Sequence, residues 1–135
     1  MTHLILHSLP GQKRAGKLAQ TIEELYANDR RLLVWVADEG RRHVLDDYLW
    51  TFRKLSFIPH AIWENGADRP PEPVVLIGEP VDLLGSEVLV VGDDLPPIEW
   101  AKRFEEIHDC IPAGEAGEMR IELWREAGLV PSVTL

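Results

Sequence analysis

Leu4-Ile-Leu-His-Ser-Leu9, Pro10-Gly11, Gln12-Lys-Arg-Ala-Gly-Lys-Leu-Ala-Gln-Thr-Ile-Glu-Glu-Leu-Tyr-Ala-Asn28 and Arg30-Arg-Leu-Leu-Val-Trp-Val-Ala37 form the stretch on which the fold turns. The first run is short, mostly apolar and stopped by a Pro-Gly pair, as a buried strand entering a turn would be. Between Gln12 and Asn28 the apolar residues Ala15, Leu18, Ala19, Ile22, Leu25 and Tyr26 recur at spacings of three and four, the period of a helix with one buried face. Arg30 to Ala37 is again apolar and partly β-branched, and its brevity fits a strand covered on both faces. Strand, helix and strand in that order are the unit of a parallel sheet.

Working outward, the alternation continues. Asp38 can cap a helix whose face carries Val44, Leu45, Tyr48, Leu49 and Phe52. Ser56 to Trp63 reads as extended and Glu64 to Pro73 as a polar loop, while Val74–Ile77 and Glu87–Val91 read as strands. A helix is expected from Pro97 to about Asp109, with Ile98, Ala101, Phe104 and Ile107 on one side. A last helix from about Glu115 to Ala127 should end at Gly128, and Pro131 prevents its continuation. Helices should therefore cover both faces of a mainly parallel sheet, joined by right-handed crossovers.

The length of 135 residues fits one domain, residues 1–135, and the mix of 45% hydrophobic and 27% charged residues is that of an ordinary globule. With Cys110 as the lone cysteine, no internal disulfide can form. No apolar run approaches a membrane span and the N-terminus lacks the pattern of a secretory signal, so the cytoplasm is the expected compartment. Charge is unevenly placed. Residues 1–60 hold nine Lys/Arg against seven Asp/Glu, and the remainder five against sixteen. Such a surface repels a phosphate backbone over most of its area, so any link to DNA should run through another protein.

Gly11-Gln-Lys-Arg-Ala-Gly16-Lys17 has the spacing of a phosphate-cradling P-loop between strand and helix, and the strand Val88-Leu-Val-Val-Gly-Asp93-Asp94 could supply a Walker-B-like carboxylate for its metal. Leu18, however, stands where the Mg²⁺-binding hydroxyl belongs, so a degenerate P-loop that binds a nucleotide is kept as the alternative reading. Asp46-Asp47, Asp93-Asp94 and Glu105-Glu106 read as solvated charges. Cys110 reads as a small buried thiol at a helix exit. His3 and His7 share a strand face with Ile5, a poor metal site, and neither a cofactor nor a catalytic set is expected. Trp50, Phe52, Phe57 and Trp63 crowd a segment braced by Pro59, as a protein-contact surface requires.

Leu45-Asp-Asp-Tyr-Leu-Trp-Thr-Phe52 followed by Ser56-Phe-Ile-Pro-His60, with Arg120-Ile-Glu-Leu-Trp-Arg-Glu-Ala-Gly128 near the end, resembles the chi subunit family of bacterial DNA polymerase III. The resemblance implies a three-layer α/β/α, Rossmann-like domain acting as a non-catalytic accessory subunit in DNA replication. It implies that the chain joins the clamp loader through the psi subunit and holds the acidic C-terminal tail of single-stranded DNA-binding protein. Trp50, Phe57, Pro59 and His60 would meet psi or a repair helicase, and Arg120, Ile121, Trp124 and Arg125 would hold the tail. Glu115, Glu118, Glu122 and Glu126 on that last helix oppose an acidic ligand, so tail binding is expected to be weakened, or relocated toward the basic N-terminal residues.

Overall fold

The computed structural model describes residues 2–9, 14–51, 58–64, 66–82 and 85–134. Their elements are β1 (His3–Leu9), α1 (Arg14–Ala27), β2 (Leu32–Trp35), α2 (Glu39–Thr51), β3 (His60–Ile62), β4 (Val74–Ile77), β5 (Val88–Val91), α3 (Ile98–Ala101), β6 (Glu106–Pro112), α4 (Glu115–Glu126) and β7 (Pro131–Thr134). The strands form one sheet in the order β3-β4-β2-β5-β6-β1-β7, and every pairing is parallel. The α/β/α, Rossmann-like expectation holds.

Alternation along the strands builds two cores. On one face Leu32, Val34, Val74, Leu76, Val88 and Val90 meet Leu18, Ala19 and Ile22 of α1 and Leu45 and Leu49 of α2. On the other, Leu33, Trp35, Val75, Leu89 and Val91 meet Trp100 of α3, Phe104 and Trp124 of α4. Each buried aliphatic side chain contributes roughly 1.5–3 kcal/mol relative to exposure, so the two faces dominate the folding free energy. Asp38 caps α2 by accepting the Arg41 N–H at 2.8 Å.

One helix is corrected. The chain is helical only over α3; from Glu106 it is β6, lying between β5 and β1. Ala101, Phe104 and Ile107 are buried and Ile98 is half-buried against the same core, so their spacing satisfied a helical pattern although Ile107 belongs to a strand. The amides of Glu105 and Glu106 both donate to Glu87 O, which turns the chain into the sheet. β6 escapes a reading based on apolar pattern because it buries His108 and Asp109 between its apolar residues. β7, an edge strand opening on Pro131, was also missed; proline is tolerated at the first position of such a strand. Cys110 is buried as expected, on β6 and not at a helix exit. Burial foremost, with the charge of Asp109 adding, pushes its thiol up to about 11, which makes it a poor nucleophile.

His108 is matched across the sheet by His7, with Nε2 of His7 2.8 Å from Nδ1 of His108 and the rings stacked at 5.1 Å. One ring must donate and the other accept, an arrangement of neutral imidazoles. Burial first, then the charges of His108 and Lys17, pushes the His7 pKa down to about 4. The unfolded chain takes up the proton near pH 6.5 and the folded chain near 4, so this contribution to stability is intact above 6.5 and is lost as pH falls toward 4. Urea denaturation should show a loss of about 2 kcal/mol between pH 7 and pH 5, above most carboxylate titration. A flat profile over that interval would refute the neutral pair.

Candidate functional site

Three places could carry function, and each is fixed by the C-terminal ends of strands or by the helices beside them. At the first, α2 approaches the sheet edge. His60 opens β3 with its side chain buried; its Nδ1 lies 2.6 Å from Ile58 O, and its Nε2 lies 3.1 Å from Asp46 Oδ1 and 3.3 Å from Asp46 O. Asp46 and Trp50 stand one turn apart on α2, so the side that presents Asp46 to the imidazole also lays the indole over it. The two rings are 4.6 Å apart at 51°, and Trp50 remains 52% exposed. Pro59 is half-buried beside them. Trp50, Pro59 and His60 therefore come together, with His60 supporting the indole from beneath; Phe57 and Phe52 lie outside the described residues.

The second place is α4 and the strand under it. Arg120 donates from Nε to Asp109 Oδ2 at 2.8 Å and from Nη2 to Asp93 O at 2.6 Å. Trp124 is fully buried and donates from its indole N–H to the same Asp109 oxygen at 2.8 Å. Ile121 packs against the same core. Of the four residues the resemblance gives to an acidic tail, Arg120 is thus committed to an interior carboxylate, Trp124 is sealed away from any open pocket, and Arg125 is exposed. Glu115, Glu118, Glu122 and Glu126 are all exposed on this helix.

The third lies where β2 leads into α2 on one face and β5 leads toward α3 on the other, the topological switch point of the sheet. Asp93, expected to be a solvated charge, is instead buried; its two carboxylate oxygens accept the amides of Ala37 and Asp38 at 3.0 Å each, tying the two strand ends together. Arg14 donates to Gly92 O at 3.2 Å and to Asp93 O at 3.0 Å. Gly92 is required: a Cβ there would come within 2.9 Å of Val36 and 3.0 Å of Trp35 O. Beside these ties a cleft of about 470 Å³ opens among Arg14, Leu18, Val36, Arg41, Val44 and Leu45. Its walls are mostly apolar, and Asp38 lines it together with the two arginines.

For the P-loop reading, the described residues bear on its helix end and on Asp93. Gly11 to Lys13 lie outside the described residues; Gly16 and Lys17 belong to the first turn of α1, as they would in a P-loop, with Gly16 facing the Tyr48 hydroxyl. The charge of Lys17 bears on His7 and Cys110, acting to lower both pKa values. Asp93, expected there as a Walker-B-like carboxylate, has both oxygens engaged by the amides of Ala37 and Asp38. The sequence reading also missed the His7–His108 pair and the tie from Asp109 to Arg120. Neither leaves a local signal, since the partners stand 101 and 11 residues apart.

Comparisons with known proteins bear separately on the fold and on the family. A Sulfolobus solfataricus SWI2/SNF2 ATPase C-terminal domain superposes with a TM-score of 0.58 at 11% identity, covering 81% of this chain and 54% of that one. At that identity the likeness shows the fold alone. The DNA polymerase III subunit chi of Pseudomonas aeruginosa is 32% identical over 84 residues, 59% of this chain. The match spans 57% of that relative's own length. The family model of the DNA polymerase III chi subunit, HolC, matches residues 1–126. No helix among the described residues is long and apolar enough to cross a membrane. With its parallel sheet, its aromatic α2–β3 corner and a family match over nearly its whole length, the chain belongs to the DNA polymerase III chi subunit family of replication accessory subunits.

Proposed function

We propose that the chain is a non-catalytic adaptor that connects the clamp loader, through the psi subunit, to single-stranded DNA-binding protein. The observation that carries this reading is the half-exposed Trp50 indole seated on the buried, doubly anchored His60. A rigid ring held in place before a partner arrives loses little entropy when it is covered, as an interface anchor should. Trp50, Pro59 and His60, with Phe57 beyond the described residues, form the face assigned to psi or to a repair helicase. DNA contact is indirect, since the net charge of −9 repels a polyanion.

For the acidic tail, the outer side of α4 is a poor host. Two of the basic N-terminal residues instead line the switch-point cleft, where Arg14 is fixed by two carbonyls and Arg41 is exposed, with Asp38 as the one carboxylate among the described lining residues. That is the chemistry for an apolar side chain flanked by carboxylates, so the tail is assigned to this cleft with reduced affinity.

Calorimetric titration tests both halves with psi and with a synthetic tail peptide from the same organism. Psi should bind at roughly micromolar Kd or tighter, and Arg41→Glu should weaken the peptide at least about fivefold while leaving psi unchanged. Absence of heat with psi at low salt would overturn the adaptor reading. An Arg41→Glu chain that holds the tail as well as wild type would overturn the cleft assignment alone.

A further inference from the structure

We propose that the outer face of α4 is a docking surface for a cationic, amphipathic protein segment, a partner opposite in charge to the acidic tail. Among the described residues five large hydrophobic side chains are exposed, and three stand on α4 or just past it: Met119 at 62%, Leu123 at 43% and Val130 at 69%. Met119 and Leu123 are one turn apart and share a side of the helix. The fold does not need them there. The inward side is already complete, with Gly117 and Trp124 buried and Ile121 packed on the core.

The helix is also held rigidly. A Cβ on Gly117 would come within 2.0 Å of Pro112 O, so glycine lets α4 lie directly on the chain leaving β6. Arg120 pins it to Asp109 and Asp93. Its orientation, and hence the outward pair, is therefore preset.

Charge selects the occupant. Glu115, Glu118, Glu122 and Glu126 are all exposed around the apolar pair. Of the two basic residues on the helix, Arg120 is turned inward and only Arg125 is exposed. A nucleic acid or an acidic peptide is repelled, whereas lysines or arginines spaced around one or two large apolar residues pair with the rim as the apolar groups cover Met119 and Leu123. This surface is separate from the Trp50 face and does not depend on the reading given to that face.

The test uses the full chain and a dye-labelled Lys/Leu peptide of about fourteen residues, with its leucines at helical spacing, followed by fluorescence anisotropy at about 50 mM salt. Binding should weaken roughly tenfold on Glu118→Lys with Glu122→Lys, and comparably on Met119→Ser with Leu123→Ser, all exposed positions whose replacement should leave thermal unfolding in place. Trp50→Ala should leave it unchanged, and a Glu/Leu peptide should not bind. The proposal is overturned if an all-lysine peptide binds as tightly, which would reduce the effect to bulk charge. It is overturned equally if either double variant binds like wild type. A dimer of the chain abolished by the Glu→Lys pair would also overturn it, because a second copy would then be the occupant.

Discussion

Arg120→Ala is expected to cost about 3–5 kcal/mol of folding stability at neutral pH, read as a lower urea midpoint at unchanged slope. The reason is the carboxylate it leaves behind. Asp109 is fully buried; Oδ2 accepts from Arg120 and Trp124, and Oδ1 has no hydrogen-bond partner. Removing the guanidinium strands a charge in the interior with one indole N–H for company, and also releases the tie from α4 to Asp93 O. Asp109→Asn should cost less, because its amide oxygen can still accept from Trp124 while Arg120 keeps its bond to Asp93 O and some access to water. If Arg120→Ala unfolds within about 1 kcal/mol of wild type, the pair does not organise α4, and Arg120 returns to the pool of residues free to bind a partner.

That outcome bears on what the sequence could tell. α1, β2, α2, β4 and β5 were legible because their buried residues are mostly apolar and recur at the period of their element, and α4 because Gly128 and Pro131 mark its end. β6 was not, because two of its inward residues are polar and become acceptable in the interior only through His7 on β1 and Arg120 and Trp124 on α4. The same blindness affected the candidate site. Arg120 and Trp124 looked like a cation and an aromatic available to a ligand, and their capture by Asp109 could not be foreseen while Asp109 was assigned to a helix end. Asp93 is a parallel case: an acidic residue after a strand looks solvated until two amides from another strand end fold over it. By contrast Trp50, Pro59 and His60 fall within one short stretch, residues 50–60, so their meeting was legible. Their division of labour, exposed ring above and buried ring below, needed coordinates.

That division makes a second large effect separable from the first. Trp50→Ala should weaken psi binding by at least about 2 kcal/mol, some thirtyfold in Kd, while moving folding stability by no more than about 1–1.5 kcal/mol. The indole is half exposed in the unbound chain, so truncation removes little of its own interior, the ring contact with His60 included. In a complex the same ring would be covered on both sides, which is where large aromatic side chains contribute most. His60→Ala should behave differently. It deletes a buried ring and its links to Ile58 O and Asp46, so it should lower stability by roughly 2–3 kcal/mol and weaken binding as well, because the indole loses its support. Thermal unfolding and psi titration of the two variants under one buffer distinguish the roles. Should Trp50→Ala lower stability as far as His60→Ala and leave psi affinity intact, the indole belongs to the fold and the partner must lie on another face.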